Sequence, residues 1–572
     1  MPHHYRLPIG LTRLVLLMLF VASAGQVRAQ APAWQVPAAI APLTSDTFSE
    51  VTATAADANG NVYIAGLFSG TIGLGTTTLT SAPGSTNGGM SASTDLFVAK
   101  WSSLSQTFVW AQRAGNAGGE EATAVAVVGN NVYVAGNFSS LTVGFGSATL
   151  TNSNPFKANW PNIFVAKLTD AGATASFTWA SSADARAATE MVVNGANIYV
   201  GGPTDLPATF GGITLPRTQL NPSVYLARLT DAGATASFTW ALEAASATSL
   251  VDLTALAVSG PNLYWAGRYV GTVTVGSTSF TSVTSNHEDV VVAKVTDTGT
   301  SGSPTWAQTA GGSLNEFVYS LAVNGPAVYM AGSLSRGNAL FGSLGPVTGT
   351  GSASYVAKLT DAGASSSFTW VHSMPASGST KATALAVNGS KVYVAGTYAG
   401  SATFDNTVLT SVGYDDLYVA QLNDAGATSS FAWVQSAGGP SNERCDALAV
   451  QGERLYLAGG AGLRAQFGAY QLLVSPTSYT GFVVPLGEAV PTATTGPAVV
   501  PDLGLYPNPA RTAVQVPAAT AATSLTLVDN LGRTVRQGRG SMLSVLGVTP
   551  GLYVLQAATP GQPVRTARLV VE

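Results

Sequence analysis

Along most of the chain the apolar positions fall in short unbroken runs, set apart by clusters of Gly, Asn, Asp and Pro. Short runs rich in Val, Tyr and Phe between turn residues predict β-strands, since helices would space their apolar positions at three and four residues. One phrase, of the form Val-Tyr-Val-Ala-Gly, returns seven times, with its tyrosines at Tyr63, Tyr133, Tyr199, Tyr264, Tyr329, Tyr393 and Tyr456. The steps between them are 70, 66, 65, 65, 64 and 63 residues. A small apolar strand precedes the phrase, as in Ala124-Val-Ala-Val127, Ala255-Leu-Ala-Val258, Ala384-Leu-Ala-Val387 and Ala447-Leu-Ala-Val450. A Gly- or Asn-containing turn such as Asn388-Gly389 joins the two strands into a hairpin.

A second hairpin follows in most repeats. Its first strand reads Asp95-Leu-Phe-Val-Ala-Lys100, Asn162-Ile-Phe-Val-Ala-Lys167 or Asp416-Leu-Tyr-Val-Ala-Gln421. Its turn often contains Thr-Asp-Ala-Gly, with Asp170, Asp231 and Asp361, and its last strand carries Trp110, Trp179, Trp240, Trp306, Trp370 or Trp433. Four strands per repeat, nearly continuous in apolar character, imply sheets buried on both faces, as blades stacked around an axis would be. The seventh repeat has its first hairpin and Gly481-Phe-Val-Val-Pro-Leu486 but no tryptophan strand after it, while a spare one, Trp34-Gln-Val36, stands near the start. If Trp34 supplies the missing strand, the ring closes and leaves no open sheet edge. The expected fold is all-β: a seven-bladed β-propeller closed by its N-terminal strand, followed by a small immunoglobulin-like β-sandwich. Between the second and third strands the repeats carry extra residues, including Phe145-Gly146 with Leu150-Thr151, that predict a small additional hairpin on one rim.

Charge and cysteine content narrow the picture. Charged residues make up only 9% of the 572 and apolar ones 46%, so the chain folds rather than staying disordered. Residues 30–501 hold 26 acids against 16 Lys and Arg, which argues against nucleic acid as a partner. Cys445 is the single cysteine, so no intrachain disulfide forms, and it reads as a small buried hydrophobe. Arg6 and Arg13 flank the start of an apolar run, Leu14 to Val21, with small residues after it and Val27-Arg28-Ala29 before Gln30. That order is a signal peptide, expected to be cut between Ala29 and Gln30, and the run is too short to span a bilayer. The expected organisation is a signal peptide at 1–29, a propeller at 30–490, a linker at 491–501 and a further domain at 502–572, with no transmembrane anchor.

The phrase Asp57-Ala-Asn-Gly-Asn61-Val-Tyr63-Ile-Ala-Gly66, with Asp95-Leu-Phe-Val-Ala-Lys100, resembles the SBBP-type β-propeller repeat of secreted bacterial proteins. That resemblance implies an extracellular propeller, usually without known catalysis. Pro491-Thr-Ala-Thr-Thr-Gly-Pro497 reads as a stiff, uncharged spacer. Beyond it, Tyr506-Pro-Asn-Pro509, Leu531-Gly-Arg533, Pro550-Gly-Leu-Tyr553 and the basic-then-apolar strand from Arg568 resemble the type A sorting domain of the type IX secretion system. The resemblance implies passage across the outer membrane, often with later removal of this domain. The expected locations are therefore the medium or the outer-membrane surface, with the secretion machinery as one partner.

Candidate chemistry is sparse. Beyond residue 29 only His287 and His372 remain, at non-equivalent repeat positions and without ligand spacing. No Gly-rich loop joins a strand to a helix, so no nucleotide site is expected, and no cofactor is called for. Asp57-Ala-Asn59-Gly60 lacks the further ligands of a calcium loop and reads as a hairpin turn. Two repeat-wide patterns stand out. Lys100, Lys167, Arg228, Lys294 and Lys358 share one position near turn acids such as Asp170, Asp231, Asp297 and Asp361, which reads as a structural ion pair beside a hairpin. Thirteen residues before each repeat tyrosine stand Glu50, Glu120, Arg186, Val251, Glu316, Thr380 and Glu443. Glu443, Glu50 and Glu120 come from neighbouring blades and are candidates for a metal or cationic-ligand patch at the channel mouth, against the alternative of a solvated loop face. The leading expectation is a monomeric, secreted or surface, non-catalytic propeller that binds or scaffolds an extracellular protein or glycan. The rival is an extracellular hydrolase or lyase with its site on the propeller axis.

Overall fold

The computed structural model describes residues 31–44, 47–84, 93–153, 161–205, 207–216, 222–335, 337–349, 351–462, 464–472, 479–487, 505–517, 519–529, 533–559 and 565–572. The signal segment, the Ala29–Gln30 cleavage point and the 491–501 linker lie outside the described residues. Strands and turns make up the described chain, and no helix among these residues is long and apolar enough to cross a membrane. Two compact units result, Met1–Glu488 and Ala489–Glu572.

In the first unit each of the first six repeats is one antiparallel sheet whose four main strands pair in sequence order. Sheet 1 comprises Phe48–Ala56, Asn61–Ser69, Asp95–Ser102 and Thr107–Ala114. Sheet 2 comprises Glu120–Val128, Asn131–Phe138, Asn162–Asp170 and Ala175–Asp184. The first strands of sheets 3 to 7 are Glu190–Asn194, Leu250–Ser259, Glu316–Asn324, Thr380–Asn388 and Glu443–Gln451. Each first strand touches the first strand of the next sheet, and Glu443–Gln451 touches Phe48–Ala56, so the inner strands form a closed cycle. Seven apolar clusters fill the seven junctions between successive sheets.

A bulge explains the glycine that ends the repeated phrase. The first strand slips register between Val51 and Ala53 in sheet 1, and sheets 2 and 4 slip at the same place. The slip pushes a carbonyl onto the second strand: a Cβ at Gly66, Gly136 or Gly267 would strike the carbonyl of Glu50, Glu121 or Asp252. The bulged threonine drops out of its own ladder, and besides a longer bond to its own second strand its hydroxyl binds the next sheet. Thr52 donates to the Ala122 carbonyl at 2.5 Å, Thr123 to Ala188 at 2.8 Å and Thr254 to Val318 at 2.7 Å.

Sheet 7 combines Glu443–Gln451, Arg454–Ala461 and Thr480–Leu486 with the N-terminal pair Ala38–Ala39. Trp34 bridges Leu486, the Gln35 amide donates to Pro485 at 3.0 Å and the Ile40 amide to Gly481 at 2.9 Å. The expected closure is therefore present, but Trp34 is not in the tryptophan's place. In sheet 2, Phe177 opposes Leu168 and Trp179 opposes Lys167. Trp34 opposes Leu486 in the manner of Phe177, and it meets Phe467 edge-on at 5.5 Å as Phe177 meets Phe145 at 5.2 Å. Counting back from the Ala38–Val483 pair, Val36 falls opposite Pro485, where the repeat would carry its tryptophan.

The extra hairpin does more than decorate a rim. Ala208–Phe210 of repeat 3 pairs with Ala175–Asp184 of sheet 2, and Thr272–Val275 of repeat 4 pairs with Ala236–Ala247 of sheet 3. These hairpins thus strap their own sheets to the outer strand of the sheet before. Ala41–Pro42 pairs in the same way with Thr71–Leu74 of repeat 1.

In the second unit Thr534–Arg539, Ser524–Val528, Gly551–Ala558 and Arg565–Val571 make one sheet, and Ala513–Gln515 pairs with Met542–Ser544. They share one apolar cluster that includes Val514, Leu525, Leu543, Leu555 and Leu569. The Tyr506-Pro-Asn-Pro509 phrase docks on the last strand: the Asn508 side chain donates to the Arg568 carbonyl at 2.9 Å and accepts from the Val570 amide at 2.9 Å.

Candidate functional site

The first repeat-wide pattern resolves into clasps between sheets. Lys100 of sheet 1 does not pair with an acid of its own hairpin, as its sequence position suggested. Its Nζ lies 2.7 Å from Oδ2 of Asp170, in the last turn of sheet 2. Tyr63 donates to the same carboxylate at 2.8 Å, Trp110 Nε1 at 3.0 Å and the Gly172 amide at 2.9 Å. Lys167–Asp231, Arg228–Asp297, Lys294–Asp361 and Lys358–Asp424 repeat the arrangement at the next four junctions. Burial pushes the Asp170 carboxyl up, and the bonds from Lys100, Tyr63, the Gly172 amide and Trp110 outweigh it, leaving it below the ordinary carboxylate value. Burial and the bond to Asp170 together push the Tyr63 phenol well up.

The two remaining junctions lack the acid, and the other members change with it. Among the described residues no acid-bearing turn follows the third strand of sheet 7, and in sheet 6 the lysine is replaced by Gln421, whose Oε1 accepts from Trp433 Nε1 at 3.1 Å. The last turn of sheet 1 carries Ser103, and in sheet 7 the lysine position is Pro485, opposite Tyr456. Val36 stands at the tryptophan position there.

The acids of the second pattern go to two destinations. Glu120 and Glu443 are fully buried, each against an aspartate of the preceding sheet, Asp95 and Asp416. Glu316 is buried likewise near Asp289. Glu50 is one residue out of register, since Ser49 opposes Phe68 as Glu120 opposes Phe138. It pairs with Arg444 at 3.0 Å. Glu443, Glu50 and Glu120 therefore hold different partners, and no group of three or more His, Cys, Asp or Glu among the described residues is arranged to hold a metal ion.

The N-terminal ends of the inner strands carry two polar clusters of similar make-up. At the junction of sheets 7 and 1, exposed Arg444 bridges Glu50 and Asp446, each at 3.0 Å, beside the stacked rings of Phe48 and Tyr479. At the junction of sheets 4 and 5, Arg268 bridges Asp252 at 3.4 Å and Glu288 at 3.0 Å and lies over the ring of Phe317, which stacks on Tyr319. Burial lifts the Asp446 carboxyl to about 6 even though Arg444 pulls it down. The sequence pattern had marked Glu50 but not Arg444, Arg268 or the aromatic pairs, because their partners come from other strands.

The other candidates have structural roles. Cys445 is fully buried, and burial pushes its thiol well up. Asp57 accepts from the amides of Asn59 and Asn61 at 2.8 and 2.9 Å, as a hairpin turn requires. His287 Nδ1 lies 2.9 Å from the Thr284 hydroxyl. His372 sits between Ser429 Oγ at 3.0 Å and Asp405 Oδ1 at 2.9 Å, in the order of a hydrolase triad. The repeats explain it otherwise. Gln112 and Gln308 hold the same strand position and donate to the Ala175 and Ser366 carbonyls, at the place where Ser429 stands. His372 is thus a strap between sheets 5 and 6.

Residues 504–572 match the model of the secretion system C-terminal sorting domain. That domain indicates export by type IX secretion, to the medium or to attachment at the cell surface. The repeat body gives no match to the SBBP-type family, and no curated protein matches the chain. Solved structures that resemble it are propeller-like and distant. Sqt1 of Saccharomyces cerevisiae is 9% identical, with 79% of this chain and 99% of that one covered at a TM-score of 0.36. The computationally designed Ika8 protein is 11% identical, with 76% and 96% covered at 0.33. Trypanosoma rangeli sialidase is 9% identical, with 78% and 83% covered at 0.29.

Proposed function

We propose that residues 30–490 form a seven-bladed β-propeller that travels the type IX route with its C-terminal immunoglobulin-like sandwich as address. Outside the cell it acts as a non-catalytic binding or scaffold module for protein or glycan. The observation that carries this reading is the pair of arginine–carboxylate–aromatic clusters at one mouth of the ring, around Arg444 and Arg268. Arginine and aromatic side chains are the groups enriched at the centres of binding surfaces. The carboxylates hold each guanidinium in a fixed direction, which lowers the ordering cost of engaging a ligand. The clusters lie three junctions apart on the cycle, so an extended ligand suits them better than a compact one. A glycan array run beside a pull-down from host surface material, with wild-type protein and the Arg268→Ala/Arg444→Ala variant, tests the reading. Specific capture that the double variant loses supports it. Capture unchanged in the variant, or turnover of a captured glycan, refutes it.

A further inference from the structure

Three of the seven junctions bring together two acids that nothing above employs. At sheets 1/2 they are Asp95 and Glu120, at sheets 4/5 Asp289 and Glu316, and at sheets 6/7 Asp416 and Glu443; all six are at least 98% buried. The aspartate opens the third strand of one sheet and the glutamate opens the first strand of the next. At the other junctions the third strand opens on Asn162, Ser223, Ala353 or Thr480, none of them acidic. A glycine seats each aspartate, since a Cβ at Gly115, Gly311 or Gly438 would strike the carboxylate. The following residue serves the glutamate: the Gly439 amide donates to Glu443 Oε2 at 2.7 Å and the Asn116 amide to Glu120 Oε2 at 2.8 Å.

The three sites differ in how the charge is met. At sheets 1/2, Arg113 pairs with Asp95, and both Glu120 oxygens accept amide hydrogens, from Asn116 at 2.8 Å and Ser140 at 3.1 Å. The positions equivalent to Arg113 are Thr309 in sheet 4 and Ser436 in sheet 6, which bring no charge. There, one oxygen of each acid is left without a partner, Asp289 Oδ1 with Glu316 Oε2 and Asp416 Oδ1 with Glu443 Oε1, whereas at sheets 1/2 only Asp95 Oδ1 is. A buried carboxylate oxygen without a hydrogen bond is costly. One hydrogen satisfies one oxygen from each of two carboxyls, whereas a calcium ion would want six to eight oxygens.

We infer that Asp289–Glu316 and Asp416–Glu443 each hold one shared proton, which clasps sheets 4 to 5 and 6 to 7, whereas at sheets 1/2 Arg113 meets the charge of Asp95 from within sheet 1. Among the described residues the groups facing these pairs supply no guanidinium or ammonium: Tyr269 and His287 face Asp289, Tyr355 faces Glu316, Tyr398 and Asp415 face Asp416, and Tyr479 faces Glu443. Burial, with the neighbouring aspartate adding to it, lifts Glu316 and Glu443 to about 8. The sign follows. A carboxyl raised in the folded state favours folding fully below its ordinary value of 4.5, and that contribution is lost as pH rises through about 8. The ring is held in mildly acidic to neutral surroundings and loosened in alkaline ones.

The test compares the full secreted chain with Glu316→Gln/Glu443→Gln, whose amides donate the hydrogen at every pH. Proton release on unfolding at pH 7 is read by calorimetry in buffers of different ionisation heat, and melting temperature is followed from pH 6 to 9. Wild type is expected to release about two protons more than the variant, and its melting temperature to fall more steeply with pH. Equal proton release and parallel pH profiles overturn the inference. So does a saturable rise in wild-type melting temperature on adding calcium after chelation, absent from the variant, since the pairs would then be cation sites. If the double variant does not fold, the pH profile of wild type decides: a flat melting temperature between pH 6 and 9 overturns the proposal.

Discussion

Replacing Trp34 with alanine tests ring closure most directly. Its side chain is 6% exposed and packs among Trp433, Phe467, Leu472, Phe482 and Leu486. Gly468 lies so close that a Cβ there would sit 3.1 Å from the indole. Removing about 200 Å² of buried indole at about 25 cal/mol per Å² gives about 5 kcal/mol as an upper figure. Measured truncations of large buried aromatics cost about 3–5 kcal/mol. If the ring of about 450 residues melts as one unit, its unfolding entropy is about 0.9 kcal/mol per degree, so the melting temperature should fall about 3–5 °C. Val36→Ala is the control, because Val36 is 49% exposed on the same segment. Thr52→Ala is unsuitable, since that hydroxyl donates to the Ala122 carbonyl. Differential scanning calorimetry of the secreted protein reads the shift. If Trp34→Ala melts within about 1 °C of Val36→Ala, the closing strand does not carry the load assigned to it.

Other outcomes follow from the clasps and the two ends of the chain. Asp231→Asn should cost about 3 kcal/mol by leaving Lys167 buried without its counter-charge, and adding Lys167→Gln should recover part of it; urea titration of the three variants reads the coupling. The five clasp aspartates sit below their ordinary value of 3.8, so the stability they contribute is present above it and lost as pH falls through their folded values. Acid unfolding should therefore begin below about pH 4 and move to higher pH in Asp231→Asn/Asp361→Asn, as followed by near-UV circular dichroism. Protein recovered from host culture should begin at Gln30 and lack the last ~70 residues, which N-terminal sequencing and intact mass check; cytoplasmic protein with Met1 intact would refute the export reading.

Much of this molecule was legible in its residues. The sevenfold tyrosine phrase, four strands per repeat and the surplus strand at Trp34 follow from local chemistry, because strand period, turn residues and repeat counting all act over a few neighbouring positions. The sorting domain was legible for the same reason, its motifs standing in order at one end of the chain. Partnership across sheets was not. Lys100 and Asp170 are seventy residues apart, and only stacking brings the turn of one sheet onto the strands of the one before. The out-of-register Glu50, the phenylalanine-like place of Trp34 and the departure of Val36, Pro485 and Gln421 from the repeat all depend on which groups meet at a junction. The buried acid pairs lie deeper still. Sequence lists Glu120, Glu316 and Glu443 at one repeat position, but desolvation and the aspartate opposite belong to the packed ring. Burial sets the energy of a charge, and burial exists only once the sheets have closed.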